Sequence, residues 1–481
     1  MNIAVIGGGI SGLAAAHRLH ELLPDAALQL FETSDRLGGV LQTVHRDGFL
    51  IEHSADSFTT KLPWALDLCR RLGIADQLLP TDETRRRALV VCRGRLEPIP
   101  TGFVLAAPTK LRPILATRIL SWSGKLRLLA EPLIPPRRVL AATSSDDFTT
   151  FDESVASFAT RRLGREAFER LVQPLLSGIY TADAERLSTA AALPELLAYE
   201  QQYGSLFRGL RRDLKKQTTP ANDSGARYSL FVAPRDGIGS LVDALVRALP
   251  AGCVQTSAPV TAIEPQGTGG WLLTIGNERP QSFDAMILAM PSYAAANLLR
   301  NTASQLATEL AAIPYASCVV VNLVYDCNQF GKPIESFGFV VPQVEQRSII
   351  AASFISAKFP GRAPIDRIMI RVFIGGALRP HLVELPTDQL IDMAHRELAD
   401  LLHISGPPES SDVAPWPRSM PQYHVGHLSR VDRIESLAAR LPAFALAGNA
   451  YRGVGIPQCI RSGEFAAETI ARQLLGKAKP A

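Results

Sequence analysis

Apolar and polar positions along the chain alternate between three rhythms. The opening "NIAVIGGGISGLAAAHRL" is a short apolar run, a glycine-rich turn and then apolar residues at helical spacing. The run "AALQLFE" follows and ends at Glu32, which predicts a strand–helix–strand unit within the first 32 residues. From about 61 to 228 the period is close to 3.6, most clearly in "FDESVASFATRRLGREAFERLVQPLL", and a helical segment is expected. In "SLFVAPRDGIGSLVDALVRAL", Gly237 and Gly239 open a helix with Leu241, Leu245, Val246 and Leu249 on one face. Three strand-like runs come next, "APVTAIEP", "GWLLTIG" and "FDAMILAMP", separated by turn residues such as "QGTGG". Between about 296 and 410, "SCVVVNLVYD", "SFGFVVP", "SIIAASF" and "IMIRVFIGGA" alternate as in a sheet with one face on a pocket. Residues 444–466, "FALAGNAYRGVGIPQCIRSGEFA", repeat the opening order of apolar strand, glycine turn and small-residue helix. The polar stretches "AATSSDDFTT" and "LKKQTTPANDSGAR" read as loops.

Composition narrows the class. With 481 residues the chain is long enough for two or three lobes, and 47% apolar with 20% charged residues is ordinary for globular cores. A net charge of +4 is too small for a nucleic-acid stripe. The six cysteines form no CxxC pair and the nine histidines no HExxH pattern, so reduced core thiols of a cytoplasmic protein are expected and a metal site is not. No basic leader precedes the first strand, and residues 102–122, the most apolar stretch, are broken by Lys110, Arg112, Pro113 and Arg118.

The first turn carries chemistry. Gly7, Gly9 and Gly12 fit GxGxxG between a strand and a helix: one glycine for the tight turn, one for close approach of a pyrophosphate, one for helix packing. Gly8, Ile10 and Ser11 complete the turn, whose helix N-terminus offers N–H groups to phosphate. Glu32, followed by Thr33, stands where an acid can bond ribose hydroxyls. Arg36, Gly38 and Gly39, with Val40, follow in "SDRLGGVLQT". This RxGG resembles the extended fingerprint of the glutathione-reductase-like FAD superfamily. "GFLIEHSADSF" resembles the segment that passes under the flavin in that superfamily, with Ser54-Ala55 where Gly-Pro is usual and with Asp56 and Ser57 beyond.

Five further segments, "RLVQPLLSGIYTADAERLS", "FPGRAP", "FIGGA", "WPRSMPQYHVGH" and "AGNAYRGVGIPQCIRSG", resemble the oxygen-dependent protoporphyrinogen oxidase family, including bacterial coproporphyrinogen III oxidases. The resemblance implies an α/β fold: a discontinuous, glutathione-reductase-like FAD-binding Rossmann domain (1–60, 229–295, 411–481), an α+β substrate-binding domain (61–95, 296–410) and a mainly helical, membrane-associated domain (96–228). It implies noncovalent FAD, Cys459 being a packed helix cysteine rather than a flavin thioether. The three runs after residue 257 would be the β-meander of FAD oxidases, with Ile287 to Pro291 leading back to the cofactor. Val260 would lie beside the adenine and Trp416 by the flavin. Val454, Gly455 and Ile456 would contact the cofactor through backbone, at a helix N-terminus beginning at Ile456-Pro457. Gly178 would let backbone approach a porphyrinogen, and Arg87, in a run with Arg85 and Arg86, would pair with a propionate. No catalytic acid or base is nominated.

The implied reaction is porphyrinogen oxidation in haem biosynthesis, in three two-electron steps, with dioxygen as final acceptor. The implied partners are ferrochelatase for product handover, a second copy as homodimer, and an anionic membrane surface on the cytoplasmic face. Lys110, Arg112, Arg118, Lys125, Arg127, Arg137 and Arg138, with Trp122 among them, are read either as a solvated helix face or as that docking surface. The remaining alternatives are another amine-oxidase-like FAD oxidase or desaturase, and a non-redox escort protein of the same fold, against which flavin motifs at both ends argue.

Overall fold

Five short parallel strands frame the meeting of the two glycine-rich turns. The computed structural model describes residues 1–104, 107–108, 111–137, 152–216, 230–267 and 269–477. Lys110, Arg138, the stretch 141–150 and most of 214–227 lie outside them; residues 214–216 end a helix, Leu206–Lys216.

The strands used below are β1 (Asn2–Ile6), β2 (Ala27–Phe31), β3 (Ala88–Cys92), β4 (Arg95–Pro98), β5 (Val254–Gln255), β6 (Val260–Pro265), β7 (Trp271–Ile275), β8 (Gln281–Phe283), β9 (Ala285–Leu288), β10 (Tyr315–Asp326), β11 (Gly338–Val340), β12 (Ile349–Phe354), β13 (Arg367–Gly375), β14 (Ser410–Pro421) and β15 (Phe444–Leu446). The helices are α1 (Ile10–Leu22), α2 (Trp122–Leu129), α3 (Val155–Leu163), α4 (Gln173–Tyr180), α5 (Gly239–Arg247), α6 (Thr387–Leu402), α7 (His427–Ala438) and α8 (Ile456–Lys477).

The parallel sheet runs β5-β2-β1-β9-β15. Both faces are covered, so its inner strands are continuous apolar runs rather than alternating ones. α1, α5 and α8 pack one face with Leu13, Leu241, Ile460 and Ile470. The antiparallel β6-β7-β8 sheet and α7 close the other, around Trp271, Phe283 and Ile434. The run "FDAMILAMP" is not the third meander strand. That strand is β8, and β9, buried at all four positions, inserts between β1 and β15. A strand apolar on both faces belongs in the middle of a covered sheet, not in a three-stranded meander.

The second sheet has seven strands, β14-β10-β13-β12-β11-β3-β4, antiparallel except for β11 with β3. On α6, Leu390, Ala394, Leu398 and Leu401 form a stripe that packs one face, against Val321, Leu323, Ile370 and Val372. On the opposite face one row runs across six strands in register: Asp412, Asn322, Arg371, Ser353, Gly338 and Ala88. Four of these six are polar, and that row faces the functional site.

Helices between 111 and 216 form the third layer, around Phe158, Leu171 and Phe207. The buried ion pair of Arg162 with Glu131 pins it. Two residues of the basic stretch are engaged within the helical layer. Lys125 is buried with Nζ donating to Leu115 O at 2.8 Å, and Arg127 donates to Arg161 O at 2.6 Å and Arg162 O at 3.2 Å, in the last turn of α3. Carbonyls at a helix C-terminus have no helical partner, which makes them natural acceptors for an arginine.

Candidate active site

The first turn builds an open cradle. Gly7 (φ +113°) closes the turn, its N–H donating to Phe31 O at 2.8 Å. Gly8 N donates to Glu32 Oε2 at 2.7 Å, while Glu32 Oε1 accepts from Ser34 N and Oγ at 2.8 Å. Glu32 therefore braces the turn, and free lone pairs remain for a ribose hydroxyl. Gly38 N donates to Gly8 O at 2.8 Å, laying the Arg36–Val40 loop along the turn. Arg36 secures that loop, donating to Gly39 O at 2.6 Å and Leu37 O at 3.3 Å. A Cβ on Gly9 would meet only Gly39 Cα, at 3.9 Å. The gap between these two glycines lies at the N-terminus of α1, which has no side-chain cap. Ile10, Ser11 and Gly12 form the buried first turn of α1; Thr33 and the apolar Val40 are exposed on the rim. Ser257 N donates to Ser34 O and Ala258 N to Glu32 O, which carries half-buried Val260 toward the acid.

The second turn lies against the first. A Cβ on Gly463 would stand 2.1 Å from Ser11 O, so α8 crosses the first turns of α1 backbone to backbone. Val454 and Gly455 are half-buried and Ile456 is buried at the head of α8. Tyr423 sets this loop: its hydroxyl accepts from Gly453 N at 2.9 Å and donates to Asn449 O at 2.5 Å. Its ring stacks on His427, centroids 4.0 Å apart. Cys459 is buried and its thiol pushed up to about 12 by burial, an inert packed cysteine.

Residues 53–57 form the seam with the seven-stranded sheet. Trp416 Nε1 donates to His53 O at 2.7 Å, and the Arg36 guanidinium lies 5.9 Å from the Trp416 ring centroid. His53 Nε2 is 2.7 Å from Asp412 Oδ1. Arg371 donates to Ser54 O at 2.6 Å and pairs with Asp56 at 3.0 Å. Lys358 Nζ reaches both Asp56 oxygens, at 2.9 and 3.1 Å, and Ser57 Oγ at 3.2 Å. Burial pulls the Asp56 carboxyl upward, but Lys358 and Arg371 outweigh it and hold it well below the usual range. The side chains of Asp56 and Ser57 are thus engaged in an ion cluster, while half-buried Ala55 packs on the core and Ser54 Oγ is buried without a partner.

Beyond the seam is a cavity of about 140 Å³, lined by Ala88, Leu175, Gly178, Ile179, Phe337, Phe339, Ser353, Lys358 and Phe373 among others. Gly178 comes from α4, which follows a π-helical turn at Phe168–Val172. Arg87 precedes β3 and its neighbour Ala88 is in the wall; Arg87 O accepts from Phe337 N at 2.9 Å. The structure therefore brings together the two turns, the seam, Trp416 and Gly178. Lys358, Arg371 and Tyr423 were not singled out in the sequence. For Arg371 a signal existed, an arginine inside the apolar run "IMIRVFIGG".

A dinucleotide fits this arrangement. The gap between Gly9 and Gly39 is one that a Cβ on Gly39, 3.2 Å from Gly9 Cα, would narrow, and the α1 N–H groups open into it. Ser54 Oγ on the seam and Gln458 Oε1 in the first turn of α8 are buried polar atoms with no partner in the protein.

Comparison with known proteins agrees. Residues 10–471 match the flavin containing amine oxidoreductase family. The chain is 34% identical over 495 residues to "Coproporphyrinogen III oxidase" of Propionibacterium freudenreichii subsp. freudenreichii, covering 98% of this chain and 90% of that one. It is 32% identical over 476 residues to the protein of the same name from Bacillus subtilis (strain 168), covering 97% of each. A solved structure from Exiguobacterium sp. 255-15 superposes over 98% of both chains with a TM-score of 0.84 at 30% identity. With both FAD-type turns in one site and a match along nearly the whole chain, this protein belongs to the flavin containing amine oxidoreductase family and takes FAD as its cofactor.

Proposed function

We propose that this protein is an FAD-dependent porphyrinogen oxidase of haem biosynthesis, acting on coproporphyrinogen III in preference to protoporphyrinogen IX. The cavity carries the reading: apolar walls from Leu175, Ile179, Phe337, Phe339 and Phe373 beside the seam suit a flat, greasy macrocycle, and Gly178 keeps one wall low. The relatives named above are the reason for favouring coproporphyrinogen III. FAD supplies the two-electron acceptor, and dioxygen takes up two electrons and two protons per step to give hydrogen peroxide. The two turns and the seam bind and orient the cofactor: Gly7 to Gly12 and the Arg36–Val40 loop at the pyrophosphate, Glu32 at the ribose, Val260 at the adenine, and Trp416 with Val454, Gly455 and Ile456 at the ring system. Arg87 pairs with a propionate.

The test supplies FAD-loaded protein in air with each porphyrinogen and follows porphyrin fluorescence and peroxide. Three peroxides per porphyrin are expected, with the higher kcat/KM for coproporphyrinogen III. Oxidation of neither substrate would end this assignment.

Docking of the helical layer on an anionic membrane belongs to the same proposal. Trp122 is 70% exposed and Leu126, one turn on, 65%; Leu133 is 82% exposed. Arg112, Arg118 and Arg137 are exposed in the same stretch. Apolar anchors beside surface cations are the composition of an interfacial helix. Among the described residues no helix is long and apolar enough to cross a membrane. Handover to a ferrochelatase and a homodimeric state rest on the family resemblance alone.

A further inference from the structure

Among the described residues Lys358 is the one ionisable side chain in the cavity wall, and Ser353 the one hydroxyl there. The Lys358 ammonium is engaged by Asp56 and Ser57, in a cluster that holds further buried cations. Asp56 is shared between Lys358 and Arg371. Arg362, 1% exposed, adds a third cation; its Nη2 donates to Pro234 O at 2.7 Å and its Nη1 has no partner. Arg371 Nε is likewise buried without one. Two other acids act on Arg362: Asp236, and Glu52, which accepts from Ile238 N at 2.8 Å and Thr43 Oγ1 at 2.7 Å and whose pKa burial raises. Among the described residues Asp56 is the carboxylate in direct contact with Lys358 and Arg371, while Arg362 is bonded to a carbonyl. Burial lowers the Lys358 pKa, Arg371 and Arg362 press the same way, and Asp56 only partly offsets them. A buried ammonium is stabilised by any further carboxylate oxygen that can bond it.

The cavity is where a counter-ion can arrive. The bond from Lys358 to Ser57 is its longest, 3.2 Å, and can be exchanged for an incoming oxygen while Arg371 keeps Asp56 paired. Ser57 Oγ keeps its own bond to Asp56, at 2.7 Å. Arg371 and Ala88 are separated by three strand spacings along one row of the sheet, roughly 14 Å. Arg87 adjoins Ala88, about that distance from Arg371.

We propose that Lys358, backed by Arg371 and oriented by Asp56, is a carboxylate subsite of the cavity, and that it selects substrates bearing an acid side chain on that edge over those bearing an apolar one. The proposal rests on the porphyrinogen reading and names a specificity determinant within it.

Binding of the porphyrin product separates charge from shape. FAD-loaded wild type and Lys358→Met, matched in flavin content, are titrated by fluorescence with coproporphyrin III and with its tetramethyl ester. The acid is expected to bind Lys358→Met more weakly by roughly tenfold, the scale of one lost charge-assisted contact, with the ester unchanged and Lys358→Arg keeping most of the preference. The ratio of kcat/KM for coproporphyrinogen III to that for protoporphyrinogen IX should fall in Lys358→Met. Equal weakening of acid and ester, or no change in either, overturns the subsite. Lys358→Gln, which keeps a donor to Asp56, is read the same way, and failure of both variants to fold marks Lys358 as structural and also overturns it. Wild type that oxidises neither porphyrinogen defeats the underlying reading instead.

Discussion

Gly178 leaves room that a side chain would take. A Cβ there meets only Val340 Cγ1, at an ordinary 3.6 Å, and the residue is in α4 rather than in a turn. Gly178→Ala should therefore stabilise the helix by about 0.5–1 kcal/mol. Gly178→Leu should fill the cavity and raise the porphyrinogen KM by roughly tenfold or more, the effect of about 1.4 kcal/mol of lost contact. Thermal melts and steady-state kinetics on the two variants check both. His427 is buried at the head of α7, its Nε2 2.8 Å from Tyr451 O, and burial lowers its pKa from 6.5 to about 4. A folded-state pKa below the unfolded one means that the unfolded chain binds more protons between pH 6.5 and 4. Stability is then full above pH 6.5 and falls as the pH drops to about 4, by up to about 3 kcal/mol. Denaturant titrations from pH 7 to 4 should show this loss, and it should largely vanish in His427→Asn. The glycines and Glu32 were legible because their role follows from spacing along the chain. The roles of Lys358, Arg371 and Tyr423 were not, because they depend on partners brought close only by the fold, Asp56 about 300 residues from Lys358 and Arg371, and Asn449 and Gly453 in the loop that Tyr423 sets.

The elements that matter most are the two helices behind the glycine turns. Both were readable, the second down to its start at Ile456, because a strand, a glycine turn and a proline in the first helical turn are local signals. Their crossing was not readable. Gly463 packs on Ser11 and Ala15, and nothing between residues 11 and 463 announces that contact. Gly463→Leu should force α8 off α1 and cost about 1–3 kcal/mol by overpacking. Because the helix carries Val454 to Ile456 with it, FAD should be lost before the fold is; flavin-to-protein ratio against melting temperature would reveal this, and full flavin retention would contradict it. The strand β9 teaches the converse. Its apolar run was recognised as a strand, but sequence order placed it in the meander, whereas burial on both faces places it in the parallel sheet.

At the scale of the whole molecule, the seam of residues 53–57 joins the seven-stranded sheet, the helical layer closes the cavity beside it, and another surface of that layer is exposed. That outer surface holds Trp122 and Leu126 on α2. Trp122→Ala with Leu126→Ala should weaken sedimentation with anionic vesicles by roughly a hundredfold or more, since each buried apolar side chain is worth about 1.5–3 kcal/mol, and leave turnover in vesicle-free buffer unchanged. Equal vesicle binding by wild type and double variant would remove the membrane from the proposal. The sequence by itself determined the strand–glycine–helix turns, the helical and alternating segments and the family, because each is written in residue types at short fixed spacings. Tertiary structure alone decided the row from Asp412 to Ala88, the cluster of Asp56 with Lys358 and Arg371, and the cavity they border. That row needs six strands, from residues 88 to 421, to come into one register. Such a register is set by packing against α6 and the seam, which no local window of the chain contains.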